Sequence, residues 1–205
     1  MIIVLGRPAL GSARPGVPAR PDGVVARVAL AAAAAGAAVE LVGTVGDDEQ
    51  ADALAVALGR AGVGHAALLR VPGAVTPASG VPASSLPRLE GADVDLGLRY
   101  VPECRVLVLA EPLSAAVTAV ALEAAAYHGA SLVAIVAAGA EVEPALGPAA
   151  TVLRSPADEA APFAELVGRY AARLDGGAEP GTAFADALQA VGWEPVSRGA
   201  AETGV

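Results

Sequence analysis

Between Ala38 and Val63 the chain reads AVELVGTVGDDEQADALAVALGRAGV, and its order of apolar and polar positions spells out a strand, a turn and a helix. Val39, Leu41 and Val42 form a short β-branched and apolar run closed by Gly43 and Gly46, the pattern of a buried strand that ends in a turn. Asp47 is placed to cap the helix that follows, its carboxylate accepting from first-turn amides, and Gln50 three residues on completes a capping-box spacing. Ala51, Leu54, Ala55, Leu58 and Ala61 then share one helical face, and Gly62 stands where a helix end wants positive φ. In this reading Asp47 and Asp48 serve the helix end and its dipole rather than any chemistry.

The same patterning continues on both sides. Ile2 to Leu5 is an apolar strand stopped by Gly6, Arg7 and Pro8. The segment Gly11 to Asp22, with Pro15, Pro18 and Pro21 beside Arg14 and Arg20, reads as an irregular loop or short lid. A helix spans Gly23 to Ala35 and Gly36 ends it. After Val63, Ala66 to Val71 reads as a strand, and Pro72 to Gly91 is the longest loop, rich in Pro, Ser and Gly. Arg105 to Ala110 is a continuous apolar strand of the kind covered on both faces. Leu113 to Tyr127 is an amphipathic helix, Ser131 to Val136 and Ala150 to Leu153 are strands, and Ala157 to Leu174 and Thr182 to Val191 are helices. Trp193 follows as a packing residue, before a polar tail over 194–205. Strand and helix alternating at this spacing predict one α/β domain over 1–205: an open, doubly wound, mostly parallel sheet with helices on both faces.

Composition narrows what such a domain can do. The net charge of −9 argues against nucleic acid as a partner, because phosphate binding needs clustered cations. No apolar run approaches the roughly 18 residues of a membrane span, and MIIVLG lacks a basic leader, so the expectation is a cytoplasmic protein with no membrane partner. All 13 basic residues are Arg, which excludes both a phosphate-loop lysine and a Schiff-base lysine. The single Cys104 precludes an intrachain disulfide and reads as an inert buried or half-buried thiol. His65 and His128 lie near element ends, where surface imidazoles are the expectation. Gly6 and Gly11 have the wrong spacing for a dinucleotide-binding turn.

The segment VGTVGDDE, Val42 to Glu49, followed by a small-residue helix and an AGV ending, resembles the ribokinase-like (PfkB) sugar kinase family, and LVLAEPLSAAVTAVALEAAAYHGASLVAIV sharpens the likeness. The resemblance implies a ribokinase-like fold, here with a reduced lid. It implies substrate contacts at Glu111, which matches the glutamate of a Leu-Glu-x-Pro-Leu segment, at Gly23, the survivor of a Gly-Gly pair, and at Thr76, which follows a proline and a glycine. It also assigns Glu159 to the motif that organises magnesium.

The same resemblance shows what is missing. The sugar-binding aspartate falls at Gly11 and the sugar-placing asparagine at Arg27. Pro156 stands for the asparagine of the metal motif. No Gly-Ala-Gly-Asp turn, whose amides hold developing charge and whose aspartate acts as base, occurs anywhere. Catalytic residues are therefore expected to be absent. The first reading is a ribokinase-like protein without phosphotransfer that binds a small polyhydroxylated ligand, a sugar or nucleoside, or acts as an assembly partner in a homo-oligomer or with another protein. The second is an active sugar or nucleoside kinase with rearranged motifs, using ATP and Mg2+. An unrelated α/β enzyme or a partner-binding module remains beside them.

Overall fold

The computed structural model describes residues 1–11, 19–156 and 160–193. Six parallel strands form one sheet: β1 (Ile2–Leu5), β4 (Val39–Gly46), β5 (Val63–Val71), β6 (Val106–Leu109), β7 (Ser131–Ala137) and β8 (Ala150–Ser155), in the order β5-β4-β1-β6-β7-β8. Two short strands, β2 (Ala9–Leu10) and β3 (Pro21–Asp22), pair antiparallel beyond the end of β1, and Leu10 bridges to Ala78.

Alternation along the strands feeds two cores. Ile2, Val4, Leu41, Val106 and Val108 face one side and pack with α1 (Gly23–Ala34), α2 (Glu49–Arg60), α5 (Ala160–Asp175) and α6 (Pro180–Val191). Ile3, Leu5, Val42, Leu107 and Leu109 face the other, under α3 (Gly91–Leu98) and α4 (Ala115–His128). A strand buried on both faces has no polar face to show, which is why these strands read as unbroken apolar runs. The predicted doubly wound sheet with helices on both faces is present.

Several boundaries differ from expectation. The N-cap of α2 is Asp48, whose carboxylate accepts from Ala51 N at 2.9 Å. Asp47 is exposed, and among the described residues it pairs only with Arg70, at 3.6 Å. β4 runs through Gly43 and ends at Gly46, the second of the two glycines expected to close it. β5 begins at Val63 rather than Ala66, because its ladder to β4 passes a bulge in which the Glu40 carboxylate accepts from Ala67 N at 3.2 Å. The helix α3 falls in a stretch where the sequence predicted no element. The expected start of α5 at Ala157 and the tail over 194–205 lie outside the described residues. No helix among the described residues is long and apolar enough to cross a membrane.

Candidate functional site at the switch point of the sheet

After β1 the chain moves to α1 on one face of the sheet, and after β6 it moves to α4 on the other. Neighbouring strands whose continuations part in this way leave a crevice beyond their C-terminal ends, where open α/β sheets bind ligands. Register decides what stands there. Leu5 is opposite Leu109, so two residues on Arg7 comes opposite Glu111.

The two side chains meet. Arg7 Nε donates to Glu111 Oε1 at 2.9 Å, Arg7 Nη2 to Oε2 at 3.0 Å, and the Arg7 main-chain N–H to Oε1 at 2.8 Å. This is a two-pronged, half-buried ion pair, and the hydrogen bonds that Arg7 donates to Glu111 hold the guanidinium still more firmly protonated than usual. Arg7 Nη1 also reaches Pro87 O, at 3.4 Å. Glycines make this approach possible. A Cβ on Gly6 would lie 2.7 Å from Val25 Cγ2 and 3.2 Å from Glu111 Cγ, and one on Gly43 would lie 1.8 Å from Gly6 O.

A cleft of about 610 Å3 opens beside the pair. Its walls are Arg7, Glu111 and Pro112 from the strand ends, Arg88 to Ala92 from the loop entering α3, and Leu113, Ser114 and Ala116 at the start of α4. Ser114 caps α4 by accepting from Val117 N at 3.4 Å, which leaves its O–H free to donate. The start of α3 packs against α4 at Gly91, where a Cβ would lie 3.4 Å from both Ala116 O and Val120 Cγ2. The size suits a small molecule.

The residues singled out from sequence do not all meet here. Glu111 is at the centre, although its carboxylate is engaged by Arg7 rather than open on all sides. Gly23 is exposed at the first position of α1 and is not part of the cleft wall. Next to it Arg27 bends back onto the capping Asp22, Nε to Oδ1 at 2.8 Å. Thr76 is fully buried under the start of α2, its hydroxyl donating to Asp48 Oδ1 at 2.6 Å and accepting from Gly46 N at 3.2 Å. Its N–H goes to Asp48 Oδ2 at 2.7 Å, so its hydrogen-bonding groups are committed to the fold. Glu159 lies outside the described residues. Among the described residues no three of His, Cys, Asp or Glu gather closely enough to hold a metal ion. Cys104 is buried, and burial pushes its thiol up to about 11, as an inert core cysteine requires.

Arg7 and Arg88 are the residues that the sequence reading passed over. Arg7 carried a usable signal: it directly follows the glycine that ends a central parallel strand. Arg88 carried none, because its place depends on how a long loop folds back.

A doubly wound α/β protein with a ligand-sized cleft at its switch point is the class that fold and site define. No family model matches the chain, and no curated protein matches it. Solved structures do. A ribokinase II candidate from E. coli, in complex with ATP and Mg2+, superposes with a TM-score of 0.63 at 12% identity over 91% of this chain and 89% of that one. Fructokinase from Xylella fastidiosa with bound ATP gives 0.51 at 19% identity, covering 92% of this chain and 65% of that one. Aminoimidazole riboside kinase from Salmonella enterica gives 0.53 at 14%, covering 92% and 67%. The chain has the ribokinase-like fold, and it spans about two thirds of the length of the last two kinases.

Proposed function

We propose that this protein is a ribokinase-like (PfkB) family member without phosphotransfer activity that binds a small polyhydroxylated ligand in the cleft beside Glu111. The observation that carries the reading is the ion pair set at the switch point. Arg7 retains N–H groups beyond those given to Glu111, Ser114 offers a hydroxyl, and Glu111 Oε2 keeps a lone pair, so donors and an acceptor stand within one small cleft. A sugar or nucleoside presents hydroxyls that match such a set.

The case against phosphoryl transfer is chemical. An acceptor hydroxyl must give up its proton as the new bond forms, and the one carboxylate at the cleft's centre already accepts from three N–H groups of Arg7. The turn that would hold developing charge on the transferred group is absent from the sequence, and loss of even one such donor costs on the order of a hundredfold in rate. The likeness to kinases solved with ATP favours the second reading, an active ATP- and Mg2+-dependent kinase, and one experiment separates the two. Single-turnover reactions with labelled ATP, magnesium and a panel of sugars and nucleosides are expected to yield no phosphorylated product, while the same compounds without ATP raise the melting temperature of the parent and less so of Glu111→Gln. Stoichiometric product within minutes would overturn the proposal, and equal shifts in both proteins would remove Glu111 from the site.

A further inference from the structure

The charges around the cleft are not all spoken for. Arg7 is met by Glu111 in contact. Arg88, which forms part of the same wall and is exposed, makes no ion pair with any described residue. Glu90, the remaining carboxylate on the wall, stands at the start of α3, where its main-chain N–H donates to Asp93 Oδ2 at 2.9 Å. Arg7 Nη1 bonds Pro87 O, the carbonyl just before Arg88, so the strand end that carries one guanidinium is tied to the loop that carries the other. Other arginines, Arg60 among them, also make no ion pair with a described residue, and Arg88 differs from Arg60 in standing on the wall of the cleft.

Resting on the binding reading given above, we infer that the ligand of this cleft is an anion: a polyhydroxylated molecule carrying one carboxylate or phosphate group, with the charged group seated on Arg88 and the hydroxyls toward Arg7, Glu111 and Ser114. A neutral sugar would replace the water on Arg88 with hydroxyls of similar strength and gain little. A carboxylate or phosphate forms charge-assisted, two-pronged bonds to a guanidinium, roughly twice as strong as neutral ones. The same arrangement sets specificity, because the neutral analogue forgoes the charge-assisted bonds that the anion makes.

Calorimetric titration of the full chain with ribose, gluconate and ribose 5-phosphate tests this. We expect one or both of the charged compounds to bind at least tenfold more tightly than ribose, and which of them does so identifies the group, carboxylate or phosphate. The preference should shrink at least tenfold in Arg88→Gln and survive in Arg60→Gln, which removes the same charge from the exposed end of α2. It should weaken as ionic strength rises. Binding of ribose as tight as that of the anions, or an anion preference untouched by Arg88→Gln, would overturn the anion assignment and leave the binding reading standing. No binding of any of the three by the folded parent would overturn both.

Discussion

Asp48 does the work that the sequence assigned to its neighbour. Two adjacent carboxylates follow a glycine, and which of them caps depends on where the strand before them lets go. Gly46 stays in β4, its N–H held by Thr76 Oγ1 at 3.2 Å, and this delays the helix by one residue. Burial alone would raise the Asp48 carboxyl, but hydrogen bonds from the Thr76 hydroxyl and N–H and from Ala51 N, with the charge of Arg70, outweigh it and hold the group below its ordinary value of 3.8. Asp48→Ala therefore removes both a helix cap and the anchor of a long loop, and we expect a loss of about 2 kcal/mol in urea unfolding, against about 0.5 kcal/mol or less for exposed Asp47→Ala. The acid side follows from the direction of the shift. A lowered folded value means that the carboxylate stabilises the fold above the ordinary value, and this stabilisation is lost as pH falls through the folded value. In Asp48→Asn that part of the acid sensitivity should vanish, leaving a flatter stability profile below about pH 4; a profile parallel to the parent's would contradict the assignment.

Elements with strong periodicity were readable, and those without it were not. Strands β1, β6 and β7 and helices α1, α2 and α4 stand within a few residues of where apolar spacing puts them. The helix α3, GADVDLGL, buries only Val94 and Gly97, too sparse a face to register as a period. Strands β2 and β3 are two residues each, too short to show an alternation. Helix packing was equally hidden. At the crossing of α1 and α5 a Cβ on Gly168 would fall 2.5 Å from Val28 O and 2.6 Å from Ala31 Cβ, so the two backbones meet there with no side chain between them. Gly168 sits mid-helix, where alanine is the better helix former by roughly 1 kcal/mol, so a neutral or stabilising effect of Gly168→Ala would be the expectation from sequence alone. The structure predicts the reverse: overpacking should cost about 1–3 kcal/mol, measured as a lower urea midpoint with unchanged slope.

At the scale of the whole molecule, the doubly wound plan creates the cleft and the Arg7–Glu111 pair spans it. The resemblance of LAEPL to a sugar-contacting segment located one half of that pair. The place of Arg7 after a strand-ending glycine marks it as a candidate, but its pairing with Glu111 follows from strand order, since nothing local says that β1 and β6, separated by about a hundred residues, are neighbours. Because β1 continues to one face and β6 to the other, the crevice has no helix crossing it, and the ion pair is what links the two strand ends beyond their last ladder bonds. Its side chains are 30% and 17% exposed, so solvent screens it only partly. A double-mutant cycle of Arg7→Gln, Glu111→Gln and both together should therefore give a coupling energy of about 1 kcal/mol or more, above the usual value for surface pairs. Each single variant should lose more stability than the double, because it leaves a half-buried group without its partner. If instead the cycle closes with no coupling, the crevice is held by its backbone alone and Arg7 is free to turn to a ligand. That outcome would move the centre of the site from the carboxylate of Glu111 to the guanidinium of Arg7.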